Sequence, residues 1–176
     1  WIATGGHVES TVKIAQAGLP IVYAIIGGNP RYFKKLIQAY REIGSEAGHA
    51  SHELKVGAHS WGWIAEDGEQ AVKDYFHPTQ QVVDAISKDR PHWQELRYEQ
   101  YLEQVGPNGA MFVGNPDQVA EKLIRMIEDL ALDRFMLHLP LGSMPHEQVL
   151  RAIELFGTQV APKVREYFAM KKAYTQ

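Results

Sequence analysis

The 176-residue sequence contains no cysteine. That absence excludes disulfides, zinc–thiolate sites and cysteine nucleophiles, and it fits a reducing compartment. No apolar stretch approaches the roughly 18 residues needed to cross a bilayer, and the first residues lack the basic-then-apolar order of a secretory leader. Both point to a soluble, cytoplasmic protein that does not engage membranes. An excess of charge of one sign is missing too: 18 Lys and Arg face 21 Asp and Glu, for a net charge of −3. Their even spread leaves no electrostatic footprint for nucleic acid. Catalytic signatures are equally scarce. No Ser–His–Asp order, nucleophile elbow, Walker loop or complete dinucleotide fingerprint is present, which removes the usual support for hydrolases and kinases. No metal site is expected either. His49 and His52 have suitable spacing, but in a Gly- and Ser-containing loop with only Glu53 alongside they read as a solvated turn.

What is present is an ordinary globular composition, 45% hydrophobic and 22% charged, sufficient for one core and one domain over residues 1–176. Trp1 to Thr4 reads as the end of a buried strand, so the chain is expected to begin inside an element and to be part of a longer one. Gly5-Gly6 and a helical stripe of Val8, Val12 and Ala15 follow. The unit then repeats: "IVYAII" is apolar on both faces, as in a parallel strand covered on both sides, and ends at Gly27-Gly28. Asn29 caps and Pro30 opens a helix carrying Phe33, Leu36, Ile37, Tyr40 and Ile43 on one stripe.

A third strand is predicted over about 54–65, "LKVGAHSWGWIA", with a helix starting near Asp67. Between His77 and Gly109 the periodicity loosens, with Pro78, Pro91 and Pro107 as breakers, which predicts a helical insertion over about 77–109. Asn115-Pro116 repeats the helix-start signal. The fourth strand is predicted over 134–139, "RFMLHL", and a helix from His146 is expected to break at Pro162 before a final piece. Four strand–helix alternations imply an α/β fold with a parallel sheet. Since a full (β/α) barrel takes about 250 residues, the chain reads as half a barrel or as an open four-strand sheet.

Ligands of parallel α/β folds bind beyond the carboxyl ends of the strands. In "TGGHVES", Gly5 and Gly6 let a ligand approach the backbone, and the first turn of the next helix, with Glu9 and the Ser10 hydroxyl, suits a phosphate. The alternative is a turn followed by a good helix start. Gly27 and Gly28 carry the same two readings. By the two-residue period of a strand, His59, Trp61 and Trp63 share one face, where they either line a pocket for a planar ring or pack against neighbouring elements. His138 is similarly placed and has the alternative of a hydrogen-bonded core histidine. No catalytic residue is assigned.

Taken together, "WIATGGHVESTVKIAQAGLPIVYAIIGGNP", "VGAHSWGWIAED", "GAMFVGNPDQVAEKL" and "MPHEQVLRAIELFGTQVAPKVREYF" resemble, in order, the C-terminal half of bacterial luciferase-like flavin-dependent monooxygenases. The resemblance implies a TIM-type (β/α)8 barrel of which this chain supplies the fifth to eighth strands. It further implies reduced FMN, or in one branch a deazaflavin, at the carboxyl end of the barrel, with the phosphate held by Gly5, Gly6, Glu9 and Ser10 and in this branch by Gly27 and Gly28. His59, Trp61 and His138 are then candidates for the substrate pocket. Oxygenation of a small organic substrate with O2, a flavin reductase as partner and a homo-oligomeric assembly follow from the same resemblance. The family residues that contact the flavin ring lie largely on the earlier strands. This leaves a second reading, a flavin- or phosphate-binding half barrel without turnover. A Schiff-base aldolase is disfavoured because Lys55 falls at a strand start.

Overall fold

The computed structural model of the protein describes residues 1–90 and 93–174. Its sheet is parallel throughout. Strands β1 (Ile2–Thr4), β2 (Ile21–Ala24), β3 (Val56–Ile64) and β5 (Arg134–His138) lie side by side in the order β1-β2-β3-β5, and β4 (Phe112–Gly114) pairs with the last three residues of β3. The helices are α1 (Val8–Gln16), α2 (Phe33–Glu46), α3 (Gly68–Asp89), α4 (Tyr98–Val105), α5 (Pro116–Leu130), α6 (His146–Leu155) and α7 (Ala161–Tyr174), with a 3-10 turn at Pro30–Tyr32 leading into α2. This is the alternating α/β pattern of half a (β/α)8 barrel.

The register assigns each strand residue to a face. Ala24 of β2 aligns with His59 of β3, which aligns with Met136 of β5, and Trp61 aligns with His138. These residues share the interior face of the half barrel. On the opposite face Tyr23 and Ala58 align and turn toward the helices. There Tyr23 packs edge-on against Phe33 at 5.6 Å and its hydroxyl lies 3.2 Å from the Thr11 hydroxyl. Burial pushes the Tyr23 pKa up to about 12, with the Thr11 hydrogen bond opposing. The interior face is covered less completely: Ala3 on β1, and Arg134, Met136 and His138 on β5, are exposed.

Helix starts follow the local chemistry. Asp67 accepts from the backbone N–H groups of Glu69 and Gln70 at the head of α3. Asn115 and Gln118 form a reciprocal capping box ahead of α5, with Pro116 at the first helical position. Three expectations are corrected. Pro78 does not break the chain into separate helices but lies inside α3. Its missing N–H and its ring cost about 3 kcal/mol in a free helix; here Ala71, Tyr75, Pro78 and Thr79 are buried together, and the Thr79 hydroxyl donates to the Tyr75 carbonyl at 2.6 Å. Pro162 does not break the last helix either. One π turn over Phe156–Val160 joins α6 to α7, with the Ala161 N–H donating to the Phe156 carbonyl. Finally, β4 is a fifth strand that the four-strand reading did not contain.

Lys122 of α5 holds the α4–β4 connection. Its ammonium is buried and donates to the carbonyls of Val105 (2.9 Å), Gly106 (2.7 Å) and Met111 (2.6 Å), with the Gln104 carbonyl at 3.4 Å. Burial, with Arg125 nearby, pulls its pKa down to about 7, while the carbonyl acceptors favour the charged form. A lysine with such a pKa resembles a catalytic amine, but this one sits on a helix with its donors saturated. Lys122→Met leaves those carbonyls without their donor and is expected to lower the unfolding free energy by about 2–4 kcal/mol in urea titration. Lys13→Met removes only the exposed ion pair with Glu9 and is expected to change it by less than about 0.5 kcal/mol.

Candidate functional site

The strand ends place two glycine loops side by side. Phe33, at the start of α2, lies against Gly6: a methyl group on Gly6 would stand 2.8 Å from Phe33 Cε1. The loop of residues 27–30 that leads to Phe33 therefore neighbours the loop of residues 5–7. Gly6 and Gly28 have backbone φ of 96° and 74°, a region side-chain-bearing residues avoid, so turn geometry alone accounts for them. Gly5 and Gly27 are different. Neither has a positive φ, and a methyl group on either meets no atom within 4 Å. Nothing in the protein's own packing requires those two positions to be bare.

The first turn of α1 is open to an anion. N-terminal N–H groups have no intrahelical partner, and the N-cap residue His7 supplies no side-chain acceptor for Val8, Glu9 or Ser10. Ser10 is half-buried, and its hydroxyl has no partner among the described residues. The Glu9 side chain is exposed and engaged with Lys13 at 2.7 Å, so its contribution to anion binding would come from its backbone N–H. At the second loop, the Asn29 side chain already accepts from the Arg31 N–H at 3.0 Å, which leaves Gly27 and Gly28 as the approachable backbone.

On the interior face, the rings of His59 and His138 are 5.6 Å apart. Burial lowers the His59 pKa, and the neighbouring His138 adds to the shift. Trp61 is buried beneath Trp93, with ring centroids 6.2 Å apart. Trp63 stacks on Tyr75 at 5.9 Å and 9°, an internal packing contact. The structure thus brings His59, Trp61 and His138 together and separates Trp63 from them. It also reveals a cleft of about 360 Å³ that runs from Gly27 and Gly28 past Trp61 to Trp93, Gln104 and Met111. The last three were not read as site residues: Trp93 and Gln104 come from the segment of loose periodicity and Met111 from just beyond it, far from Gly27 in sequence, and only folding brings them together. Elsewhere, His49 is used structurally, packed against Gly18 with Nε2 2.9 Å from the Gln16 carbonyl. Among the described residues no group of three or more His, Asp or Glu is arranged to hold a metal, and no helix is long and apolar enough to cross a membrane.

The sequence pattern of the family described as luciferase-like monooxygenase matches residues 1–134, about three quarters of the chain. The chain belongs to this family. No curated protein sequence matches it. Among solved luciferase-like structures, the monooxygenase RslO1 from Streptomyces bottropensis superposes with a TM-score of 0.74 at 21% identity, covering 91% of this chain and 46% of that one. The oxygenating constituent of 3,6-diketocamphane monooxygenase from Pseudomonas putida, solved in complex with FMN, gives 0.60 at 18% identity, covering 88% and 45%. The coenzyme F420-dependent tetrahydromethanopterin reductase from Methanopyrus kandleri gives 0.63 at 17% identity, covering 91% and 49%. At such identities the likeness establishes the fold. The chain spans about half the length of these luciferase-like relatives.

The histidine pair gives a pH signature. A histidine whose folded pKa lies below its unfolded value, near 6.5, leaves the unfolded chain binding more protons between the two pKa values. Stability therefore rises with pH across that window, and the full penalty is present below the folded pKa. In an NMR titration, His59 is expected to titrate below 6.5. In His138→Asn it is expected to move upward without reaching 6.5, because burial is the larger cause.

Proposed function

We propose that this chain forms the flavin-phosphate side of a luciferase-like, flavin-dependent monooxygenase that uses reduced FMN and O2 to oxygenate a small organic substrate. The observation that carries this reading is the pairing of the uncapped first turn of α1 with two glycines, Gly5 and Gly27, that no internal packing requires to be bare. Backbone N–H groups of Val8 to Ser10 and the positive end of the helix dipole would hold a phosphate, the Ser10 hydroxyl would add a donor, and Gly27 and Gly28 would close the other side. The residues present fit the phosphate end of such a cofactor.

Reduced flavin supplies the two electrons and two protons of the reaction: one oxygen atom enters the substrate and the other leaves as water. This chain's part is to bind the phosphate, to orient the cofactor toward the interior face carrying His59 and His138, and to keep water from the Trp61 cleft. Neutral His59 can accept a hydrogen bond or a proton there. A flavin reductase would deliver the reduced cofactor in a cytoplasmic, homo-oligomeric setting. Deazaflavin is the alternative cofactor, since one neighbour with this fold is F420-dependent by name. A second reading, a flavin-binding half barrel without turnover, is favoured by the exposed interior face of β1 and β5.

Gly27→Val tests the phosphate loop, because the space beside Gly27 is empty in the protein alone and its backbone tolerates a side chain. FMN affinity is expected to weaken about tenfold or more, roughly 1.4 kcal/mol, with unchanged thermal stability. Gly157→Ala, equally unobstructed but in the α6–α7 π turn, serves as the control. Unchanged affinity in folded Gly27→Val removes that loop from the site. Oxygen uptake with NADH, FMN and a flavin reductase separates the two readings: turnover only in a chain extended at its N-terminus supports the shared site.

A further inference from the structure

We propose that the cleft over Trp61 binds the substrate of this site, and that the substrate class is a neutral, planar aromatic compound carrying a hydrogen-bond donor, of the phenol type. The inference rests on the flavin-site reading for its position, since Gly27 and Gly28 form one wall of the cleft. Its chemistry comes from the other walls. Trp61 and Trp93, whose rings pack on each other at 51°, line it with Met111, an apolar aromatic surface that favours flat ring systems through apolar burial and offset or edge-on ring contacts.

The polar groups narrow the class. Among the described residues no ionisable side chain lines the cleft, and its side-chain amides are those of Gln94, Gln100 and Gln104. A charged ligand would lose its hydration there without meeting a counter-charge. The three amides are not equivalent. Gln100 Oε1 accepts from the Arg97 N–H at 3.1 Å, and Gln94 is exposed. Gln104 Oε1 is buried and accepts no hydrogen bond among the described residues. Buried acceptors are ordinarily paired, and Gln104 is one of the residues that line the cleft. A ligand O–H or N–H on the cleft floor supplies the missing donor. The cleft volume of about 360 Å³ lies within the range of small-molecule sites.

The test is calorimetric titration of the 176-residue chain with 2-naphthol, naphthalene and naphthalene-2-sulfonate, alongside FMN. 2-Naphthol is expected to bind at least about tenfold more tightly than the other two. Trp93→Ala is expected to abolish that binding and Trp93→Phe to keep it. Gln104→Leu is expected to bring 2-naphthol to the affinity of naphthalene while leaving FMN binding unchanged, with folding of each variant checked by circular dichroism. FMN binding without any preference for 2-naphthol overturns the substrate inference and leaves the flavin reading in place. Preferential 2-naphthol binding without FMN binding overturns the flavin reading and keeps the cleft as an aromatic site. Equal binding of the sulfonate, or full binding in Gln104→Leu, overturns the assignment of a neutral donor-bearing ligand.

Discussion

Strand β3 is hydrogen-bonded to β2 through Val56 to His59, to β5 through Gly57 to Trp61 and to β4 through Gly62 to Ile64. Eight of its nine residues are buried. Because the side-chain period of a strand is two residues, a slip of one position would turn His59 and Trp61 toward the helices and Ala58 and Ser60 into the interior. The Ser60 hydroxyl opposes such a slip by donating to the Ile25 carbonyl at 2.9 Å, just past the end of β2. That bond and the Ile25 N–H to His59 carbonyl bond at 2.8 Å set where the Gly27-Gly28 loop leaves the sheet. The position of the glycine loop, the alignment of His59 with its neighbours and the floor of the cleft all depend on this one register.

The parts of this arrangement governed by local chemistry were legible in the sequence. Asn29, Asp67 and Asn115 cap helices where their side chains and the following prolines or acids indicate, and the doubly buried strands showed as unbroken apolar runs. Misreadings arose where tertiary burial outweighs a local signal. Pro78 is a strong breaker in isolation, yet α3 continues through it because that face of the helix is buried. Pro162 is absorbed by a π turn that shifts the hydrogen-bond register by one residue. Strand β4 is three residues long and depends entirely on the far end of β3, so nothing local announces it.

The candidate site divides in the same way. Glycine pairs and an uncapped helix start are sequence features, and they mark the proposed phosphate end. The aromatic cleft is not one, because Trp61 and Trp93 come from a strand and from a segment without periodicity, and the segment is fastened in part by Lys122. Its ammonium holds the stretch from Gln104 to Met111 in place, and that stretch supplies two residues of the cleft wall. A buried cation on the outer layer thereby supports an aromatic-lined cleft at the strand ends.

The proposed role of the two glycine loops and the open helix turn is to hold a flavin phosphate. Backbone amide chemical shifts recorded while FMN is added to isotope-labelled protein test it most directly. The largest changes are expected at Gly5, Gly6, Val8, Glu9, Ser10 and Gly27, with the same amides responding to inorganic phosphate. Changes concentrated instead at the head of α6, around His146, with those six amides unmoved, would contradict it.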